Sequence, residues 1–412
     1  MLAFVFSNVF MAGQEKSTFK PPNHCLFPLE QGAQWNYRLK SPEISGTSTW
    51  SIESVSAAPG SKTAIISRVI SIAGMNNEVK SELSLRQNRV FEKLTDVSPA
   101  SPTAIIDVDM AGLLLPDLAR LHSGYSWEVG ASIRMNLGIA DSRAGTRLFY
   151  RVLGWEWVTV PAGTFYSLKF LCRYSRLTGD VVVKIPKTPP KVIDLDQSIP
   201  GDSFEWYAPF VGLVKSHDTA PEGGGTWELL SCNLAPQPFD TAVISLSGTA
   251  SINDRVPPCD TAAHSPRGTA AGKERLPEAE IIHAEAIDIK TGQDSMLELY
   301  QANGNLMRIG PATHICLNSP CTVEKKPKPV MKSVVLFLGR LYLHLNRAFG
   351  PREFRCDTPT AVTGSRGTKF MLEVRPDGST LVEVEEGEVE VTEKKTGHVF
   401  LLKKGEKREF YL

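Results

Sequence analysis

The chain lacks an excess of charge of either sign: 45 basic residues face 45 acidic ones. Without a basic stripe, nucleic acid or an anionic membrane surface is excluded as the main partner. Its seven cysteines include no CxxC pair, which argues against a zinc ribbon or a thioredoxin-type site. Phosphate-binding, nucleophile-elbow, metalloprotease and dinucleotide motifs are absent from any supporting context. Long apolar runs are missing too. The segment VVLFLGRLYLHL, 334–345, is too short to span a bilayer and carries Arg340 and His344, so it reads as a hairpin of two core strands turning near Gly339. Amphipathic helices are scarce, and only 109–122 has helical character, which Pro116 limits to a turn or two. Tryptophan is absent after Trp227, although all seven lie between Trp35 and Trp227. That partition points to two domains of different ancestry.

What is present is alternation. Trp35, Tyr37 and Leu39 oppose Asn36 and Arg38, and period-2 runs continue through TWSIESV, TAIISRVISI and NRVFEKL. Later come GYSWEVG, FYRVLGWEWVTVPAGTFYSLKFLCRYS and, after a Lys/Pro-rich excursion at 184–191, FEWYAPFVGLVKSH. The turn Pro161-Ala162-Gly163-Thr164 joins two aromatic strands. A linker is expected at 233–240, and AVISLSGTASI then opens a second domain over 241–412. Residues 253–278 have few large apolar side chains and read as a loop. In the last third, Phe370, Leu372 and Val374 alternate with Met371, Glu373 and Arg375. Pro376-Asp377-Gly378-Ser379 makes a turn, and LVEVEEGEVEV follows as further strands. The expected fold class is therefore all-β. It comprises an N-terminal curved antiparallel sheet or half-barrel over 27–232, then an antiparallel β-meander or sandwich.

Two stretches carry family resemblances. TPTAVTGSRGTKF followed by LVEVEEGEVEV resembles the core of a FecR-type domain, and IKTGQDSMLELYQANGNLMRIGPATHICL resembles that family's first half, together covering 239–412. The resemblance implies an envelope-facing β domain used for sensing or binding, without known catalysis. The family's iron-transport regulators place a cytoplasmic anti-sigma segment and one membrane helix ahead of this domain, and this sequence departs from that pattern. Residues 27–37, 158–170 and 206–215 resemble bacterial envelope β domains, which are similar to lipoprotein carriers in sheltering an apolar concavity behind a curved sheet.

Several residues are candidates for sites. Trp35, Trp155, Trp157 and Trp206 either line a ligand pocket or form core. Cys316 and Cys321 flank LNSP and would close a small loop by disulfide in an oxidising compartment, or stand as two thiols. His283, Glu285 and His314 are the best metal set, but solvent-facing His and Glu are ordinary on an antiparallel sheet and account for them better, so neither metal nor cofactor is expected. The Glu383, Glu385, Glu388, Glu390 and Glu393 set reads as a solvated outer face. Arg366-Gly367-Thr368 is expected to be structural, with the backbone at Gly364 and Gly367 either bending tightly or approaching another strand where a Cβ would clash. The apolar start, 1–26, reads as a signal remnant and lead, so export to the periplasm or beyond is expected. Taken together, these features predict a non-enzymatic envelope protein that binds or senses a protein or cell-wall glycan. An apolar small molecule in the first domain is a further candidate partner. The alternatives are an apolar-ligand carrier and a hydrolase, which would need two carboxylates facing the concavity.

Overall fold

The computed structural model describes residues 24–41, 44–98, 105–117, 120–136, 140–184, 188–197, 201–220, 224–234, 240–253, 281–282, 287–302, 304–319, 333–345, 354–365 and 367–412. Every element among them is a strand. The first sheet begins with β1 (Gln34–Lys40), β2 (Ser45–Ala58), β3 (Ser61–Ile72), β4 (Met75–Arg86) and β5 (Arg89–Ser98). It continues with β6 (Ile105–Leu115), β7 (Ser126–Asn136), β8 (Ala140–Val160), β9 (Gly163–Tyr174) and β10 (Leu177–Val183). It ends with β11 (Lys191–Gln197), β12 (Ser203–Ala208), β13 (Gly212–Asp218) and β14 (Thr226–Cys232).

β1 to β9 neighbour one another in chain order, and from β9 the path returns through β12, β13 and β14 to β1. Because β8 also pairs with β9, from Leu148 with Tyr174 to Val160 with Gly163, the curved sheet closes into a ring. The 21-residue β8 makes this possible. Its first part holds the β10–β11 hairpin, and the rest holds β9. Bulges in β2, β5, β6, β8, β13 and β14 add the local twist that closure needs.

Alternation fixes what lies inside. Ala64 and Ile66 on β3, Leu83 and Leu85 on β4, and Leu168 and Phe170 on β9 are all essentially buried. Each large apolar side chain so buried contributes about 1.5–3 kcal/mol. The segment expected to be helical is instead β6 up to Leu115, which pairs with Val90 and is buried, so cross-strand packing overrides the local leucine-rich pattern. Pro116 ends that strand, and its carbonyl accepts a hydrogen bond from His24 Nε2 at 3.1 Å.

The second group opens with β15 (Thr241–Ser247), β16 (Ala250–Asn253), β17 (Ile281–Ile282), β18 (Ile287–Thr291) and β19 (Met296–Gln301). Then come β20 (Leu306–Ile309), β21 (His314–Ser319), β22 (Ser333–His344), β23 (Phe354–Asp357) and β24 (Ala361–Ser365). Last are β25 (Lys369–Val374), β26 (Thr380–Glu386), β27 (Glu388–Glu393), β28 (Val399–Lys403) and β29 (Lys407–Phe410). They form two layers around one apolar core. One layer runs β17-β15-β19-β20-β22-β25-β26-β29 and the other β16-β18-β21-β22-β23-β24-β27-β28.

The expected hairpin at 334–345 is in fact this single strand, β22, shared by both layers. Gly339 is not a turn but a bend, with φ +92, where a Cβ would lie 2.3 Å from Thr313 Oγ1. Only glycine fits both constraints. The sheet is also not purely antiparallel, since β22 and β23 pair in parallel. The long connection between them removes the hairpin constraint that forces antiparallel pairing.

Candidate functional site inside the first sheet

The inward alternation of β3 continues past Ile66 to Arg68, which places a guanidinium inside the ring. Its Nη1 donates to Glu92 Oε1 at 2.6 Å and to Ser81 Oγ at 3.0 Å, and the group lies 4.8 Å from the Trp50 ring centre. Glu92 reaches the interior because it lies two residues from the fully buried Val90 on β5, on the same face of the strand. Its side chain is only 9% exposed, so the pair is largely desolvated.

Glu205 is a second inward carboxylate, on β12. Tyr207 donates its hydroxyl to Glu205 Oε2 at 3.2 Å. Burial, and then the negative charge of Glu92, push the Glu205 carboxyl up to about 7, against the opposing pulls of the Tyr207 hydrogen bond and Arg68. Burial and the Glu205 charge in turn hold the Tyr150 and Tyr207 hydroxyls well above the usual phenol value, and they push the Cys172 thiol up to about 12. Glu205 and Arg68 are half-buried, so this array in the interior, or lumen, of the ring keeps some solvent contact. Tyr174, 41% exposed and electrostatically coupled to Glu205, lies toward the outside. Chemically, the lumen offers one carboxyl that changes charge near neutrality, one neutralised ion pair and the faces and hydroxyls of several aromatic residues.

None of these residues was singled out from the sequence. The signal was available in the alternation itself: Arg68 follows Ala64 and Ile66 on β3, Glu92 follows Val90 on β5, and Glu205 precedes Tyr207 on β12, each at the period-2 spacing of a buried neighbour. His24 was hidden. Its Nδ1 accepts from Leu26 N at 3.2 Å, so Nε2 carries the proton to Pro116, and burial holds the ring neutral with a pKa near 4.

The structure separates the four candidate tryptophans. Trp35 is buried in the ring's core and donates Nε1 to the Val211 carbonyl at 2.6 Å. Trp155 and Trp157 flank Tyr166 at 5.4 and 5.0 Å, and Trp157 also meets His344 at 4.3 Å while Tyr166 meets Tyr300 at 6.5 Å. They therefore belong to the contact between the ring and the second group of strands. Trp206 donates Nε1 to Glu156 at 2.6 Å and lies under the ammonium groups of Lys169 and Lys215 at 4.9 and 5.1 Å.

Cys316 is buried within β21, so Leu317 to Ser319 continue a strand rather than a turn, while Cys321 lies outside the described residues. His283 and Glu285 also lie outside them. His314 Nε2 is 2.5 Å from Asp288 Oδ1, and no metal-ligand group of three occurs among the described residues. Gly367 has the left-handed φ of +60 expected for a tight bend, and Thr368 is buried with its hydroxyl against Ser365 Oγ. A Cβ on Gly364 would meet nothing within 4 Å, so the close approach does not hold there, and Arg366 lies outside the described residues. Beside the acidic face Glu386 meets Lys369 at 2.6 Å, while Glu388 stands opposite Lys403 in the ladder without an ion pair among the described residues.

Residues 287–390, within the second group of strands, match the family model described as FecR protein. No curated protein matches the chain. Among solved structures, a protein described as exported with a YmcC-like fold from Bacteroides fragilis shares 18% identity, covering 50% of this chain and 98% of its own, with a TM-score of 0.33. One described as a lipoprotein from Parabacteroides distasonis shares 16% identity over 52% of this chain and 100% of its own, with a TM-score of 0.32. Another from Parabacteroides distasonis, described as an anti-sigma factor, shares 17% identity over 31% of this chain and 60% of its own, with a TM-score of 0.25.

Proposed function

We propose that this chain is a non-enzymatic binding or sensing protein of the bacterial cell envelope, in which the FecR-type domain engages a protein or cell-wall partner. The match of residues 287–390 to the FecR family carries this reading. The lumen of the ring, with Glu205 and the Arg68–Glu92 pair, is the place where a small ligand would be sensed. No helix among the described residues is long and apolar enough to cross a membrane. Fractionation of cells expressing the chain, followed by cross-linking of the envelope fraction, tests it. An adduct with an envelope protein or peptidoglycan mapped to 287–390 is expected. Recovery of the protein solely in the cytosol, without an adduct, would overturn it.

One observation favours a second reading. Two carboxylates, Glu92 and Glu205, do face the lumen, as a hydrolase would require. Turnover of glycoside or ester substrates that disappears in Glu205→Gln would support that reading. Equal, background-level turnover in both proteins would remove it.

A further inference from the structure

We propose that the flank of the FecR-type domain formed by β28 and β29 is a docking edge for an extended acidic segment of a partner protein, which adds to the sheet beside β28. The inference rests on the reading that this domain engages a protein. Topology supplies the first argument. Both layers end on this flank: among the described residues β28 pairs only with β27, and β29 only with β26. Apart from Lys403, whose N–H donates to Glu406 Oε2 at 2.8 Å and whose C=O accepts from Glu406 N, one backbone edge of β28 therefore presents N–H and C=O groups outside any ladder, the arrangement that accepts an added strand.

The side chains point the same way. Leu402 turns inward and is 6% exposed, whereas Val399 and Leu401, on the other face of β28, are 57% and 54% exposed. A groove of about 440 Å³ lies between the two edge strands, lined by Phe400, Leu401, Leu402, Glu406, Lys407 and Arg408.

Charge identifies the occupant. The Arg408 guanidinium lies 3.6 Å from the Phe400 ring centre, a stack that leaves its planar rim of N–H donors available for a carboxylate. Elsewhere in the domain Arg340, Arg375 and Lys369 are paired with Glu373, Glu409 and Glu386. Lys403, Lys404, Lys407 and Arg408 make no ion pair among the described residues. Lysine alone would blunt an edge strand against association. The exposed Val399 and Leu401 do the opposite, so the edge is selective rather than closed. The fitting partner strand alternates, with acidic side chains toward Arg408 and aliphatic ones beside Val399 and Leu401.

The test uses the full chain and a fluorescein-labelled peptide of alternating valine and glutamate, N-methylated along one backbone edge so that it cannot stack on itself. Anisotropy should report binding that weakens with salt and falls about tenfold or more in Arg408→Glu and in Leu401→Lys. Because both side chains are at the surface, the melting temperatures of these variants should stay near that of the parent. A valine–lysine peptide should not bind, and N-methylation of both edges should abolish binding. Equal binding of the two peptides, indifference to both variants, or full binding after methylation of both edges would overturn strand addition at this flank. If envelope cross-linking to 287–390 persists in Arg408→Glu, the docking edge is refuted while the sensing reading stands.

Discussion

Replacing Glu205 by Gln isolates the least ordinary group in the lumen. The amide keeps the shape and can still accept from Tyr207, but it cannot ionise. In the native protein, burial and the neighbouring Glu92 charge hold the carboxyl at about 7 instead of its ordinary 4.5. Between those values the folded state keeps a proton that the unfolded chain has released. Stability from this group is therefore fully present below pH 4.5 and is lost as pH rises through about 7. At about 1.4 kcal/mol per pH unit, the gap amounts to about 3 kcal/mol, and the solvent contact of Glu205 reduces the expectation to about 1–2 kcal/mol. Two buried histidines run the other way. His24 and His344, both lowered to about 4, lose stability as pH falls from 6.5 toward 4, because the unfolded chain takes up the protons first. They are common to both proteins and cancel in the difference. Urea unfolding of parent and variant across pH 4.5 to 8, followed by tryptophan fluorescence, should give curves that nearly meet at the acid end. At the alkaline end the variant should lead by about 1–2 kcal/mol. Parallel curves would refute the claim that Glu205 carries the titration.

Three further outcomes follow from contacts already described. Arg68→Ala should cost about 3–5 kcal/mol in the same unfolding assay, because Glu92 is left charged in a nearly dry site, whereas the pair Arg68→Met with Glu92→Leu should cost far less. Gly339→Val should lower the melting temperature by several degrees, since a side chain there meets both a left-handed φ and Thr313. Trp157→Ala removes the ring contact with His344 and should resolve one calorimetric transition into two, whereas a single unshifted transition would mean that this contact does not couple the ring to the second group of strands.

Period-2 patterning made most strands legible, including β2, β3, β5, β25 and β26, because each has one face in a core and one in water. β4 was harder to see. Its Met75–Lys80 half is polar, and only Ser81, Leu83 and Leu85 keep the alternation. Ring closure could not be read at all, since it depends on β8 offering β9 and β10 separate lengths of one edge, a property of long-range pairing. Glu92 and Glu205 are a different case: each shares the period-2 face of a buried neighbour, Val90 and Tyr207, so alternation does put them inward, and only the closure of the ring, which alternation does not show, brings them near Arg68.

The sharing of β22 by both layers has a consequence for biosynthesis. β15, β19 and β20 of one layer and β16, β18 and β21 of the other are made before β22, and each half-layer needs that strand as its next neighbour. Until residues 333–344 leave the ribosome, two unfinished sheets stand with open edges and no common core. Emergence of β22 then lets both layers advance at once through β23 and β25. This domain should therefore fold late and in a single cooperative step during translation, and nascent chains halted before Ser333 should be the ones that holdase chaperones retain.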